Sequence, residues 1–221
     1  MMEKLSVDVA IIGAGTAGLA AWRAASAQGK RTVVIEGGAY GTTCARVGCM
    51  PSKLLIAAAD AAHMVGTAAG FGVHAGEVRI DGAEVMARVR RERDRFVGFV
   101  LEGVDRIPAA DKLRGHARFT GPHSLDVGGH TMVDASRVVI ATGSRPFVPP
   151  ELRDVGPGVI VSDQVFDWTG LPRSVAVIGT GVIGLELGQA LHRLGVHVAL
   201  FGRGDSLAQL SDPDVRDAAA R

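Results

Sequence analysis

Cys44 and Cys49 are the only cysteines in the 221-residue chain. They lie in the stretch Gly41-Thr42-Thr43-Cys44-Ala45-Arg46-Val47-Gly48-Cys49-Met50-Pro51-Ser52-Lys53. Five residues of regular helix rise about 7.5 Å and turn past one revolution. That carries two Cα atoms beyond the roughly 4.4–6.8 Å a disulfide tolerates. A bond between these sulfurs therefore needs a bent backbone, which Gly48 and Pro51 permit. A strained, locally closed disulfide is easier to reduce than a structural staple, so the spacing suits a redox couple. Two other readings stand beside it. Buried thiols pack as small hydrophobes, and cysteines bind zinc. The zinc reading is weaker, because two cysteines are half a tetrahedral set and His63 and His74 match no usual ligand spacing.

The elements around this stretch suit nucleotide chemistry. Leu5–Ile12 reads as a central parallel strand, followed by Gly13-Ala14-Gly15-Thr16-Ala17-Gly18 and an Ala-rich helix to about Gln28, capped by Gly29. A second strand, Arg31–Ile35, ends at Glu36. Strand, glycine turn, helix, strand and acid together make a G-x-G-x-x-G specific. The glycines let backbone N–H groups close on a pyrophosphate at a helix N-terminus, where the dipole favours negative charge. Glu36, 23 positions after Gly13, has the spacing of a carboxylate on ribose hydroxyls. The pattern then returns: strand Ser174–Ile178, turn Gly179-Thr180-Gly181-Val182-Ile183-Gly184, helix Leu185–Leu194, strand Val196–Phe201. Such a repeat implies two dinucleotide-binding units. The same 23 positions from Gly179 reach Gly202, which has no carboxylate, and the next residue is Arg203. An arginine there can meet a 2′-phosphate; the competing reading is a solvated loop residue.

Between the units, the cysteine-bearing helix continues through Leu54–Met64, its small residues suiting close packing, with His63 a packed or exposed helix residue. An amphipathic helix spans about Asp81 to Val104. Leu113–Phe119, Ser124–Val127, Thr131–Val133 and Arg137–Ile140 read as a meander of short strands leading to Ala141-Thr142-Gly143-Ser144, and Phe147–Gly158 is the linker candidate. The chain ends at Ala218–Arg221 inside a further helix, so the second unit reads as incomplete and the chain as a piece of a longer protein.

The four motifs together resemble the flavin-dependent pyridine nucleotide–disulfide oxidoreductases, the group holding dihydrolipoyl dehydrogenase, glutathione reductase and mercuric reductase. The resemblance covers essentially the whole chain. It implies an α/β fold: a Rossmann-like FAD-binding unit with an inserted β-meander (1–148), then an incomplete Rossmann-like NAD(P)-binding unit (149–221), without the family's C-terminal dimerisation domain. It implies that Gly13, Gly15 and Gly18 line the FAD pyrophosphate and Glu36 its ribose, with Thr43, Ala117, Thr142, Gly143 and Ser144 also on FAD. Cys49 would face the flavin, Cys44 would exchange with substrate, and Lys53 would sit near the flavin with Glu186 as its acidic partner. Gly179, Gly181, Gly184 and Arg203 would hold the nicotinamide dinucleotide, NAD or NADP. Two positions depart from the family pattern: Thr42 replaces the second glycine of Gly-Gly-Thr-Cys, and Arg46 an asparagine. The family's catalytic His and Glu come from a C-terminal segment that these residues do not include.

Pro51-Ser52-Lys53 is the version more usual in dihydrolipoyl dehydrogenases and mercuric reductases, and the reading leans to the former. The alternatives are an NADPH-dependent disulfide or mercuric reductase and a non-catalytic FAD-binding piece. The expected partners are a small dithiol or disulfide, or a lipoyl domain, and a second copy of the full-length chain. A net charge of +1 argues against nucleic acid. The short apolar run Val7–Ile12, with Glu3 before it and Asp8 within it, is neither a membrane span nor a signal peptide. Two cysteines in a chain of this size point to chemistry in a reducing compartment, so the expected location is the cytoplasm. No metal is expected.

Overall fold

The opening apolar run forms β1 (Glu3–Ile12). Around it are β2 (Thr32–Glu36), β3 (Lys112–Arg114), β4 (Ala117–Phe119), β5 (Ser124–Val127) and β6 (Thr131–Ile140). They make one sheet in the order β3-β2-β1-β6-β5-β4. The computed structural model describes residues 2–203, 207–208 and 210–220. It divides into two units, Met1–Arg46 with Asp94–Arg145 and Val47–Arg93 with Pro146–Arg221.

In the first unit β1 pairs in parallel with both β2 and β6, and Ile12 is in register with Ile35 and with Ile140. The register brings Gly13, Glu36 and Ala141 out at one edge of the sheet. Alternation sorts the side chains of these strands between two layers. Ala10, Val33 and Ile35 pack against Leu125, Val127 and Val133, joined by Val7 from before the irregularity at Asp8 and Val9, whose N–H groups both bond Arg31 O, while Ile11 and Val34 pack against Leu19, Val104 and Ile107. A strand buried on both faces must be apolar throughout. Val33, Val34 and Ile35 are accordingly buried, each contributing about 1.5–3 kcal/mol, and the one polar member, buried Thr32, shares a hydrogen bond with the Ser26 hydroxyl. Helix α1 (Thr16–Ala27) stops where Gly29 takes φ 69°, with Gly29 N–H donating to Ser26 and Lys30 N–H to Ala25.

The meander differs from its sequence reading in two places. The expected strand Leu113–Phe119 is two strands, because Gly115 turns the chain at φ 147°; β3 then runs parallel to β2 and β4 antiparallel to β5. Conversely, Thr131–Val133 and Arg137–Ile140 belong to one strand. Asp134-Ala135-Ser136 resembles a turn in composition but keeps the period of two, with Ala135 buried between exposed neighbours.

The second unit holds α3 (Cys49–Thr67), the first half of α4 (Gly82–Asp105), β7 (Ser174–Ile178), α5 (Val182–Arg193), β8 (His197–Phe201) and α6 (Pro213–Ala219). Arg221, read as continuing the last helix, lies outside the described residues. Its core joins Leu55 and Ala59 of α3, Met86 and Val89 of α4, Phe166, and Leu187, Ala190 and Leu191 of α5. Helix α5 starts three residues earlier than the sequence reading, because Gly181 is its N-cap and Val182 is already helical. Val196 is a core residue of the turn before β8. Arg90 and Arg93 donate to the carbonyls of Trp168 and Phe166, and Arg93 also to Asp167, pinning α4 to the 3₁₀ turn Ser162–Asp167.

By length and composition the helical stretch Thr43–Phe71 passes as a membrane span. Here it is interrupted at Gly48, and Lys53 and Asp60 within it form ion pairs with Glu186 and Arg193 of the same unit.

The two parallel pairs differ in cover. β1 and β2 are enclosed, whereas Ile178 and Phe201 at the ends of β7 and β8 are 60% and 55% exposed. Amide hydrogen exchange is expected to be at least about tenfold slower in β1 and β2 than in β7 and β8. Equal protection would mean the β7–β8 faces are covered in solution.

Candidate dinucleotide and dithiol sites

The first glycine turn is fixed by backbone approach. Gly13 takes φ 107°, and its N–H donates to Ile35 O at 2.7 Å. A Cβ on Gly13 would collide with the carbonyl of Ala141, and one on Gly18 with the carbonyl of Gly13. The third glycine is thus set by the first. Nothing lies within 4 Å of a Cβ built on Gly15, so the middle of the turn stays open where α1 begins. Glu36 ties the turn to β2: one carboxylate oxygen accepts from Ala14 N–H at 2.8 Å, the other from Gly38 N–H at 2.6 Å. A carboxylate has about four acceptor positions, so capacity remains for ribose hydroxyls. Ala141 N–H donates to Ile12 O at 2.8 Å, and Thr142, Gly143 (φ 70°) and Ser144 follow, exposed. Ala117 opens β4, half-buried. Arg114, Gly115, His116, Arg118, Asp126 and His130 around it line a cavity of about 590 Å³. Gly115 N–H donates to the main-chain carbonyl of Glu36, which ties the edge of that cavity to the end of β2. An open glycine turn at a helix N-terminus with a carboxylate beside it fits a dinucleotide.

The second turn is built alike. Gly179 takes φ 122° and donates to Phe201 O at 2.7 Å, and a Cβ on Gly184 would collide with the Gly179 carbonyl. Nothing lies within 4 Å of one on Gly181. Because Gly13 pairs with Ile35 and Gly179 with Phe201, Gly202 is the structural counterpart of Glu36. A Cβ on Gly202 would sit 2.6 Å from Thr180 Oγ1, so a side chain at 202 would meet the Thr180 side chain where it stands. Arg203 is exposed just beyond β8.

Cys44 is the second residue of a five-residue helix, α2 (Thr43–Val47), and is half-buried; Thr43 before it is exposed. Thr42 adopts φ 60°, a left-handed conformation costing a non-glycine residue about 1–2 kcal/mol. Its hydroxyl accepts from Ala45 N–H at 3.1 Å and its carbonyl from Arg46 N–H at 3.1 Å. Gly41 before it is confined, since a Cβ would press on Arg46 and Val97. Arg46 donates to Ala39 O.

Gly48, at φ −122° and ψ −117°, breaks the helix, and Cys49 begins α3, exposed. Pro51 lies in the first turn of α3, where a missing N–H is not needed, so the bend is made at Gly48 alone. Ser52 closes that turn, its N–H and hydroxyl both bonding Gly48 O at 3.1 and 2.8 Å. One turn on, Lys53 Nζ lies 2.7 Å from Glu186 Oε1 on α5. Arg193 Nη1 lies 2.6 Å from Asp60 Oδ1, a second pair between the same helices that sequence reasoning missed, because partners 133 positions apart carry no local signal. His63 lies on α3, and among the described residues no group of three or more His, Cys, Asp and Glu could hold a metal ion.

Residues 7–221 match the family of pyridine nucleotide-disulphide oxidoreductases, and the chain belongs to it. It is 33% identical over 217 residues to a glutathione reductase of Burkholderia cepacia, covering 98% of this chain and 47% of that one. It is 32% identical over 223 residues to a dihydrolipoyl dehydrogenase of Bacillus subtilis (strain 168), covering 94% and 46%. Among solved structures it is similar to the HOCl-induced flavoprotein disulfide reductase RclA from Escherichia coli, with TM-score 0.78, 25% identity and coverage of 96% and 46%. The chain therefore spans about half the length of these relatives. The family's cofactors are FAD and a nicotinamide dinucleotide.

Gly18→Ala and Gly184→Ala are each expected to destabilise the unit they belong to by about 1–3 kcal/mol, the cost of overpacking. Gly15→Ala and Gly181→Ala, facing open space, are expected to be near neutral. Urea denaturation followed by far-UV circular dichroism reads the difference.

Proposed function

We propose that the chain is the cofactor-binding part of a flavoprotein disulfide oxidoreductase, with FAD on residues 1–148 and the nicotinamide dinucleotide on 149–221. The observation that carries this reading is the duplicated turn, Gly18 against the Gly13 carbonyl and Gly184 against the Gly179 carbonyl, flanking a C-x4-C segment. Gly13, Gly15, Gly18 and Glu36 hold the FAD pyrophosphate and ribose, assisted by Thr43, Ala117 and Thr142–Ser144; Gly179, Gly181 and Gly184 hold the second dinucleotide. FAD, when bound, passes electrons between the nicotinamide and the cysteine pair.

Cys49 is the sulfur facing the flavin and Cys44 the one that exchanges with substrate. In disulfide reduction, two electrons open the Cys44–Cys49 bond and the Cys44 thiolate attacks one substrate sulfur, releasing the other as a thiol. Cys49 then displaces the product from the mixed disulfide, and the intramolecular disulfide is restored. Lys53, paired with Glu186, places a positive charge one turn into α3. The substrate class is a small disulfide or dithiol in a reducing compartment, and the full-length protein acts as a homodimer. Pro51-Ser52-Lys53 favours a dihydrolipoyl group, although identities of 33% and 32% do not separate glutathione reductase from dihydrolipoyl dehydrogenase.

For the nicotinamide side, position 202 carries no carboxylate, a side chain there would press on Thr180, and Arg203 stands next to it. The enzyme is expected to use NADPH at least as well as NADH. Turnover of the full-length protein with each nucleotide decides this, and a strong preference for NADH would overturn it. The cysteine roles are read from the long-wavelength absorbance of the FAD-loaded protein after two-electron reduction. It is expected to survive Cys44→Ser and to vanish in Cys49→Ser; the reverse pattern exchanges the roles.

A further inference from the structure

We infer that Thr42 is a positioning residue for Cys44, its hydroxyl holding the short helix on which the exchanging sulfur stands. The inference rests on the proposed dithiol role of the two cysteines. Among the described residues only Thr42 and Ala208 are non-glycine residues with positive φ, a conformation that persists where the surroundings over-determine it. At Thr42 they do. The confined Gly41 fixes the approach, and the Thr42 hydroxyl accepts from Ala45 N–H, the third residue of α2, as an N-cap does. Glycine would take the same φ without strain but has no side chain with which to cap.

A helix of five residues has no stability of its own, so the fraction of time Cys44 spends on a formed turn depends on the few bonds that hold it, of which the Thr42 hydroxyl to Ala45 N–H is the side-chain cap. Cys44 is the second residue of the turn, inside the loop the cap closes. Losing the cap loosens Cys44 and lowers the effective concentration of its thiol for closing the disulfide with Cys49.

The experiment is equilibration of the purified protein with glutathione and glutathione disulfide, quenched with acid and scored for the Cys44–Cys49 disulfide by peptide mass spectrometry. Two protein thiols become one disulfide as one glutathione disulfide becomes two thiols, so the measured constant balances. Thr42→Val, which keeps the shape and removes the hydroxyl, is expected to lower that constant about fivefold, the weight of a typical cap. Thr42→Ser is expected to match the wild type. Thr42→Gly, free of strain and a milder loss than valine at a cap position, is expected to lie between Thr42→Val and the wild type. A constant unchanged in Thr42→Val overturns the inference, even if its melting temperature drops, since that is the mark of a purely structural role. A loss in Thr42→Ser equal to that in Thr42→Val overturns it too. If the wild type forms no Cys44–Cys49 disulfide at any glutathione ratio, the dithiol reading itself fails, and this inference falls with it.

Discussion

The molecule depends on one steric fact, the contact of a glycine Cα with the carbonyl oxygen of another glycine five residues before it. At Gly18 and again at Gly184 no Cβ fits, and that closeness lets a helix start directly against the strand edge. Everything at the first site follows from it. The helix N-terminus stands over the C-terminal ends of β1 and β2, the N–H of Gly13 is taken by Ile35, and that of Ala14 by Glu36. A side chain at Gly18 would push the helix outward and separate the positive end of α1 from the carboxylate that shares its turn. The constraint is repulsive, short-ranged and encoded at single positions, and for that reason it can be repeated elsewhere in the chain with a different core beneath it.

The two copies differ in what surrounds them. In the first, the Ala141 carbonyl presses on Gly13 from β6, so the turn is hemmed in from a third strand. In the second, nothing described lies within 4 Å of a Cβ on Gly179, and the apolar residues Ile178, Val182 and Ile183 stand in the open. The geometry of the turn survives without that support, because its own backbone contacts and the hydrogen bond to Phe201 are enough to define it. Stability and turn geometry are thus separable here: the first comes from layers packed on a sheet, the second from a local exclusion.

What could be read in the sequence was what is encoded locally. The glycine spacing, the strand–helix–strand order and the carboxylate at Glu36 all act within one βαβ unit, so their signal is concentrated. The break between Cys44 and Cys49 was legible too, because Gly48 is an obvious weak point in a helical run, although Pro51 had seemed equally able to bend it. The division of residues 112–119 into two strands was not legible: it depends on Gly115 meeting Val127 and Gly128, residues that composition alone does not place nearby. Nor were the pair Asp60–Arg193 or the arginines of α4 on the carbonyls of 166–168. Arg90 and Arg93 lie on a helix whose pattern shows only that it is amphipathic, yet their guanidinium groups serve as long-range ties, since an arginine stem can lie along apolar surface while its head finds a carbonyl. Thr42 shows a related failure. Its departure from a glycine pattern marked it as odd, but only the left-handed backbone and the bond to Ala45 show what the hydroxyl does.

Thr180 and Gly202 are coupled positions. A Cβ added at 202 meets the Thr180 side chain where it stands, so a substitution at either position changes what the other will accept, and the two have to be varied together before the effect of one can be assigned.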